Sequence, residues 1–406
     1  MKNSGVEWIG EIPDDWDCIR FKYIFSILGG CGFKEEYQGQ GMGNFPFCKA
    51  SDINGSDKYV SNANNYVNED LVKKENYTVI PKNSILISKI GEALKKNHRK
   101  INTVDCIVDS NCEAFVLISK NDISYFYYVL KCIDMNWFDN GGTIPSINNR
   151  KLLNFSLPFI NLATQQKIAA YLDSKCSKIE ETIRNQQQVI EKLKAYKQSL
   201  ITEVVTGKIK IQNSKAYGKY EEYKDSGVEY LGLIPQNWNV KRLRYIGKCQ
   251  NGISKGGEFF GSGFPFVSYG DVYNNLVLPE NVAGLIESIP EEQENYSVKA
   301  GDIFFTRTSE TIEEVGFTSV CLKTIENATF AGFVIRVRPF TDELIPDFSK
   351  YYFSSDAHRR FFVKEMNLVT RASLSQDLLK RLPVLIPSKE EQKCIAKYLD
   401  KKCTAK

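Results

Sequence analysis

Residues 165–176 read QQKIAAYLDSKC, and residues 392–403 read QKCIAKYLDKKC. A repeat of this length inside one chain indicates that the same structural unit occurs twice. Three further pairs of segments support the duplication. They are SGVEWIGEIPDDW (4–16) with SGVEYLGLIPQNW (226–238), FPFCKASDI (45–53) with FPFVSYGDV (264–272), and ENYTVIPKNSILIS (75–88) with ENYSVKAGDIFFTR (294–307). The sequence therefore predicts two halves that share one fold.

Between the matched segments the two halves have diverged. Each half alternates short β-rich runs (ILISKI and FVLIS; DIFFTRT and GFVIRVRP) with turns of Gly, Asn and Asp, a pattern typical of strands. An aromatic helical stretch follows in each half, at 124–133 and at 348–363, and we interpret its Phe126 and Tyr128 as core residues. One scaffold with two different surfaces predicts two modules that recognise different things.

A long helix is expected to begin near Asn161, its N-cap, and to end near Gly207. Apolar residues recur along it with a period of 3.5, which calls for a facing helix. This seam contains Leu172, Cys176, Ile179, Ile183, Ile190, Leu193, Leu200 and Val204, with Gln186 and Lys197 as exceptions. At this length the helix is a rod of roughly 63 Å that serves as a spacer.

The second copy of the helix starts at a capping box, Ser388-x-x-Glu391, and extends to Lys406, so it is much shorter than the first copy. The predicted fold class is α+β: two pseudo-repeated mixed α/β domains separated by a long coiled-coil-type helix, with a second short helix at the C-terminus. The expected boundaries are a first domain at 1–160, the long helix at 161–207, a linker at 208–225, a second domain at 226–387 and the distal helix at 388–406.

The composition is that of a soluble globular protein, with 42% hydrophobic and 25% charged residues in 406. No run of about 18 apolar residues could cross a bilayer, and the N-terminus lacks the apolar stretch of a signal peptide, so we expect a cytoplasmic protein without a membrane partner. The net charge of +4 is compatible with a polyanionic partner but does not establish one.

The residues that metal or nucleotide chemistry would need are sparse. The 11 cysteines form no CxxC pair, and only His98 and His358 carry imidazoles, so neither a metal site nor a disulfide framework is expected. No GxxxxGK[ST] phosphate loop is present, no Asn/Asp-Pro-Pro-aromatic motif of amino-methyltransferases is found, and GQGMG (39–43) is interpreted as a flexible loop. We expect no catalysis and no cofactor in this chain.

The two sets of motifs, in the same order in each half, resemble the specificity subunits of type I restriction-modification systems. The resemblance covers essentially the whole chain. In the first half it is carried by Gly5, Trp8, Ile12, Pro13, Trp16, Pro158, Gln165, Ile168 and Ala169, and in the second half by Gly227, Ile234, Pro235, Trp238, Pro387, Glu391, Gln392, Ile395 and Ala396.

The resemblance implies two target-recognition domains, each reading one half of a bipartite target in double-stranded DNA. It also implies an antiparallel pair of long helices that docks modification subunits, which methylate adenine, and restriction subunits, which translocate and cleave. The chain departs from the family in having Thr164 where Glu usually precedes Gln165, and in the brevity of its returning helix. Our hypothesis is that a second copy or another chain completes the seam, or that the protein is a truncated, inactive allele; a non-catalytic coiled-coil adaptor is the remaining alternative.

Candidate DNA contacts are basic and polar residues on loops that leave strands, because lysine and arginine bind phosphates while side chains in the major groove read bases. A solvated basic loop, simple turn roles and an exposed helix end are the competing interpretations. The candidates are Lys49, Ser51, Lys89, Lys95, Lys96, Arg99 and Lys100 in the first half, and Ser268, Tyr269, Arg307, Arg359, Arg360 and Arg371 in the second.

Overall fold

A computed structural model describes residues 1–309, 315–365 and 372–403. The chain divides into two compact units, a first unit at Met1–Arg184 and a second unit at Asn185–Lys406. The long helix crosses from one unit into the other.

The first unit combines short strands with short helices. Its strands are β1 (Lys2–Asn3), β2 (Glu11–Ile12), β3 (Asp17–Arg20), β4 (Phe25–Gly29), β5 (Phe45–Cys48), β6 (Tyr59–Val60), β7 (Tyr66–Val67), β8 (Ile85–Ser88), β9 (Arg99–Asn102), β10 (Ile107–Val108), β11 (Cys112–Leu117) and β12 (Ser156–Phe159). Its helices are α1 (Ala50–Ile53), α2 (Glu69–Glu75), α3 (Gly91–Lys95), α4 (Ile123–Lys131), α5 (Asn149–Leu153) and the start of α6 (Leu162–Val205).

The second unit repeats this arrangement. Its strands are β13 (Lys210–Gln212), β14 (Lys215–Gly218), β15 (Tyr223–Asp225), β16 (Leu233–Pro235), β17 (Asn239–Arg242), β18 (Gly247–Asn251), β19 (Phe260–Val267), β20 (Leu285–Ile286), β21 (Ile303–Thr306), β22 (Thr308–Ser309), β23 (Thr318–Val320), β24 (Thr329–Phe330), β25 (Val334–Pro339), β26 (Ala372–Ser373) and β27 (Pro383–Ile386). Its helices are α7 (Tyr269–Asn274), α8 (Pro290–Asn295), α9 (Pro346–Tyr352), α10 (Asp356–Glu365), α11 (Gln376–Arg381) and α12 (Lys389–Cys403).

The strand pairing shows that the two units share one topology. The main sheet has the order β4-β11-β8-β9-β6 in the first unit and β18-β25-β21-β23 in the second. A smaller sheet combines one parallel and one antiparallel pair in both units, β10-β5-β7 and β20-β19-β24. A two-stranded ladder pairs β12 with β3 and β27 with β17. The duplication predicted from the sequence is therefore present in the mixed α/β fold.

Aromatic side chains fill the core of each unit. In the first unit, Phe25 meets Phe115 and Phe126, and all three rings are buried. Phe126 is thus a core residue, as the sequence analysis predicts. Tyr128 is only half-buried, and its hydroxyl donates to Asp173 Oδ1 on α6 at 2.6 Å. The aromatic stretch at 348–363 forms two helices, α9 and α10, rather than one.

Helix α6 has the ends that the sequence predicts. Asn161 Oδ1 accepts the backbone N–H of Thr164 at 2.9 Å, which caps the first turn. At the other end Gly207 has φ of +76°, and a Cβ there would lie 2.4 Å from Pro235 Cδ, so only glycine fits.

The expected linker at 208–225 forms strands. Strands β13 and β14 make a hairpin whose turn residues, Asn213 and Ser214, have φ of 50° and 55°. This is the backbone of a type I′ turn, which favours asparagine. Ile211 on β13 is 5% exposed and belongs to the core of the second unit. Burial of that side chain anchors the segment.

Candidate nucleic-acid interface

Lys89 and Arg307 occupy the same position in the two units. Lys89 follows β8 and donates its backbone N–H to Asn111 O at 2.8 Å, while Arg307 follows β21 and donates to Phe333 O at 2.9 Å. Their carbonyls accept from Ile147 N (3.0 Å) and Leu374 N (2.7 Å) respectively. Both side chains are partly exposed. The structure therefore places one candidate basic side chain at the end of a central strand in each unit.

The other candidates of the basic segment at 89–100 separate into two groups. Lys95 and Lys96 are exposed at the end of α3, and Lys95 Nζ forms an ion pair with Glu92 at 2.6 Å. Arg99 and Lys100 do not lie on a loop; they belong to β9 and are only 0% and 7% exposed. Burial removes both of them from the exposed basic surface.

The guanidinium of Arg99 has an internal structural role. It donates to Asn97 Oδ1 at 2.6 Å and to Ile133 O at 3.2 Å. Burial lowers its pKa from the ordinary value to about 10. The sequence could not show this role, because Ile133 lies far along the chain from Arg99.

Lys49 and Ser268 occupy matching positions directly before α1 and α7. Ser268 Oγ accepts the N–H of Asp271 at 3.2 Å, and Asp271 Oδ2 accepts the N–H of Ser268 at 2.8 Å, so this serine caps α7. Lys49 Nζ donates to Gln38 Oε1 at 2.8 Å and lies over the ring of Phe33. Lys49 keeps its ammonium group at the surface, whereas the hydroxyl of Ser268 is used in the cap.

Ser51 and Tyr269 lie on those same helices. Ser51 is exposed in the first turn of α1. Tyr269 opens α7, and its hydroxyl donates to Thr308 O at 3.0 Å, next to Arg307. Tyr269 is thus brought to the Arg307 position, which the sequence alone does not show.

Arg359 and Arg360 lie on α10 and differ in exposure. Arg359 donates to Val315 O and lies over the ring of Phe317 at 4.8 Å, whereas Arg360 is exposed. Arg371 lies outside the described residues. Of Arg359 and Arg360, the exposed Arg360 is therefore better placed for a surface contact.

A buried carboxyl group, missed by the sequence analysis, lies behind Lys89. Glu113 on β11 is 1% exposed, and its Oε2 accepts from Asn149 Nδ2 at 3.1 Å. Burial raises its pKa, while Asn149 and the nearby charge of Lys89 oppose the rise. The signal was available, since Glu113 is an acid inside the apolar run CEAFVL.

The seam residues of α6 divide by position along the helix. Val204 is 0% exposed and lies in the core of the second unit, and Leu200 packs against that core. Helix α12 contributes Ile395 and Leu399 to the same core. Burial raises the pKa of the Cys403 thiol on α12, and the charge of Lys197 opposes the rise. Leu172 and Cys176 are partly buried. The exposed members are Ile179 (58%), Ile183 (52%), Ile190 (49%) and Leu193 (60%).

Within 1–309, 315–365 and 372–403, no three His, Cys, Asp or Glu side chains cluster in a way that could hold a metal ion. Of the helices in those ranges, none has the length and apolar content needed to span a membrane.

Comparison with known proteins identifies relatives over nearly the whole chain. The EcoBI specificity subunit of a type I restriction enzyme from Escherichia coli is 23% identical over 406 residues, covering 98% of this chain and 81% of the relative. Two solved structures share the fold at 15% identity. One, described as "Structural basis underlying complex assembly and conformational transition of the type I R-M system", has a TM-score of 0.66 and covers 97% of this chain and 91% of its own. The other, the HsdS subunit from Thermoanaerobacter tengcongensis, has a TM-score of 0.52, with 96% and 90% covered.

The family model of the type I restriction modification DNA specificity domain matches residues 13–194 and 235–403. These two matches fall one in each copy of the repeated fold. Because they include most of the residues in the chain, this protein belongs to the type I restriction modification DNA specificity family.

Proposed function

We propose that this chain reads a bipartite sequence in double-stranded DNA and directs adenine methylation or restriction by partner subunits. The observation that carries the proposal is the placement of Lys89 and Arg307 at one position of a duplicated fold, with different neighbours in the two units. A shared scaffold with different side chains is what separate reading of two half-sites requires. Specificity subunits are non-catalytic components of type I restriction-modification complexes.

The proposed domains retain the boundaries expected from the sequence. Residues 1–160 and 226–387 would each read one half-site, with 208–225 connecting the second domain to the long helix. The partly exposed Lys89 and the exposed Lys95 and Lys96 would bind phosphates or bases of one half-site. Arg307 and Arg360 would serve the other. A DNA-bound role fits the cytoplasm, the compartment expected from the sequence.

The long helix at 161–207 and the distal helix at 388–406 would hold the partner subunits. Four apolar side chains on α6 are each about half exposed: Ile179, Ile183, Ile190 and Leu193. Contact of so much apolar surface with water is unfavourable, and such exposed patches commonly mark interaction sites. We propose that another helix covers this stripe, supplied by a modification subunit, a restriction subunit or a second copy of the chain.

Sequencing of modified bases in genomic DNA tests the proposed function. Cells that carry the system should show methylated adenine at a two-part motif. Deletion of the gene for this chain should abolish the methylation. Expression of the chain from a plasmid should restore methylation at the same motif. Unchanged methylation after deletion would contradict the proposal and favour an adaptor or an inactive allele.

A further inference from the structure

Phe333 is a large exposed apolar residue placed beside Arg307. Its side chain is 64% exposed, in the turn between β24 and β25. Thr306 pairs with Val334 at the end of the ladder between β21 and β25, and just beyond it the N–H of Arg307 donates to the carbonyl of Phe333 at 2.9 Å. The two residues are therefore neighbours at the end of this ladder.

The exposure of this pair follows from its position at the end of the ladder between β21 and β25. Thr306 and Val334 are both 0% exposed and face the interior. Arg307 and Phe333 lie one residue beyond this buried pair, where the ladder ends, and both are exposed to solvent, Arg307 partly and Phe333 by 64%. The backbone hydrogen bond from Arg307 N to Phe333 O holds the two residues next to each other, at one small patch of surface.

The turn that carries Phe333 is held in place by the backbone. Val334 N donates to Ala331 O at 3.0 Å, and Ala331 N donates to Val267 O at 3.0 Å. A Cβ on Gly332 would lie 2.2 Å from Ser254 Oγ, so the turn fits closely against its neighbour. The ring is thus presented on a preorganised support and not on a free loop.

The first unit has different residues at the same two positions. There Lys89 is paired with Asn111, which is exposed, through the equivalent hydrogen bond at 2.8 Å. One unit therefore presents an ammonium group and an amide, and the other presents a guanidinium and an apolar ring. Differences confined to such a pair would give the two half-sites different sequences.

We propose that Phe333 contacts the 5-methyl group of a thymine adjacent to the base that Arg307 contacts in the major groove. The inference rests on the proposed function, since it assumes that the patch faces DNA. The thymine methyl is the apolar group that the standard bases present in the major groove, whereas arginine pairs with guanine O6 and N7. A phenyl ring beside a guanidinium matches a thymine beside a guanine.

Binding selection from two randomised duplex pools tests the proposal. The purified full chain would select from one pool with thymine and from another with deoxyuridine, which lacks only the methyl group. We expect a thymine preference at one position of one half-site and a loss of about fourfold in affinity with deoxyuridine, the cost of about one methyl-sized group left unburied. Phe333→Ala should abolish the difference between thymine and deoxyuridine.

Phe340→Ala is the matched control. Phe340 is 62% exposed and follows the other end of β25, so its loss should leave the thymine preference intact. Equal affinity of the unaltered chain for thymine and deoxyuridine, or an unchanged preference in Phe333→Ala, would overturn the inference while the proposed function stands. If the full chain selected no sequence from either pool, the proposed function itself would fail.

Discussion

Glu113 is a polar residue at a position that is apolar in the second unit. It pairs with Gly29 and Ile87 across β4 and β8, and Ile335 makes the equivalent pairs with Asn251 and Phe305. Glu113 Oε1 and Asn149 Oδ1 are buried, and no described residue donates a hydrogen bond to either atom. If Glu113 is protonated on Oε1, that O–H provides the hydrogen-bond donor that Oε1 and Asn149 Oδ1 otherwise lack among the described residues. The neutral acid therefore fits the site better than the carboxylate does.

Glu113→Gln tests this interpretation through the pH dependence of stability. Burial raises the folded-state pKa of Glu113 above its unfolded value, so the folded chain loses stability as the pH rises above about 4.3. An uncharged amide avoids that loss. We expect the substitution to raise the free energy of unfolding at pH 8 by about 1–3 kcal/mol and to have less effect near pH 4. Urea unfolding at both pH values measures the difference.

Glu92→Gln is the control for Glu113, because the side chain of Glu92 is 81% exposed in its ion pair with Lys95. Its effect should stay within about 0.5 kcal/mol and change little with pH. A gain in stability from Glu113→Gln that did not grow between pH 4 and pH 8 would show that the carboxyl group is not held in its neutral form.

At the scale of elements, a buried glutamine attaches each recurrent helix to its own unit. Gln165 on α6 donates to Ile160 O (2.8 Å) and Asn121 Oδ1 (2.9 Å) and accepts from Asp122 N (2.8 Å). Gln392 on α12 donates to Pro387 O (3.0 Å) and Glu343 O (2.8 Å) and accepts from Ile345 N (2.8 Å). Both glutamines are 0% exposed. Each side chain joins a helix start to the loop before α4 or α9.

Gln165→Ala should destabilise the first unit. Alanine is a better helix former than glutamine, so any loss reports the three hydrogen bonds and the buried groups left without partners. We expect a decrease of about 1–3 kcal/mol in the free energy of unfolding, measured by urea titration. Gln187→Ala, at an exposed position of the same helix, should leave stability unchanged. Equal stability of the two variants would contradict the anchoring role.

The exposed stripe on α6 predicts an effect on assembly and not on folding. Ile183→Asp places a charge on the stripe, whereas Gln188→Asp places the same charge on the far side of the heptad. We expect Ile183→Asp to reduce association with the subunits that copurify with the chain by at least about tenfold, with little change in the unfolding midpoint. Sedimentation of both variants with those subunits measures it. Equal association would exclude the stripe as an interface.

At the scale of the whole molecule, each unit should determine only its own half-site. Arg307→Ala should cost about 1–3 kcal/mol of base discrimination in one half of the motif if Arg307 reads a base, and should weaken all sequences evenly if it holds a phosphate. Lys89→Ala should act on the other half. Because Lys89 and Arg307 belong to different units, their losses should add in the double variant.

The readout is the pair of half-site preferences selected by the full chain from random duplexes. A change in both halves from Arg307→Ala alone would contradict independent reading. Salt dependence distinguishes the kinds of contact, because loss of one phosphate contact should lower the slope of log affinity against log salt by about 1.

The sequence by itself determined the duplicated plan of the protein. The matched segments predict the shared topology because identical residues serve identical local roles, such as Gln165 and Gln392 at the helix starts. Asn161 and Gly207 mark the ends of α6 because capping depends on residues within one turn of the helix. These features are local in the chain, and local physics decides them.

Only the tertiary structure decided which polar residues belong to the surface. Arg99 and Lys100 belong to a basic run, yet both are buried on β9, because carbonyl groups and sheet neighbours distant in sequence surround them. The contact between Arg307 and Phe333, just beyond the last pair of the ladder, likewise depends on the register between β21 and β25. Such register is set by packing of the whole sheet, which no short stretch of sequence encodes.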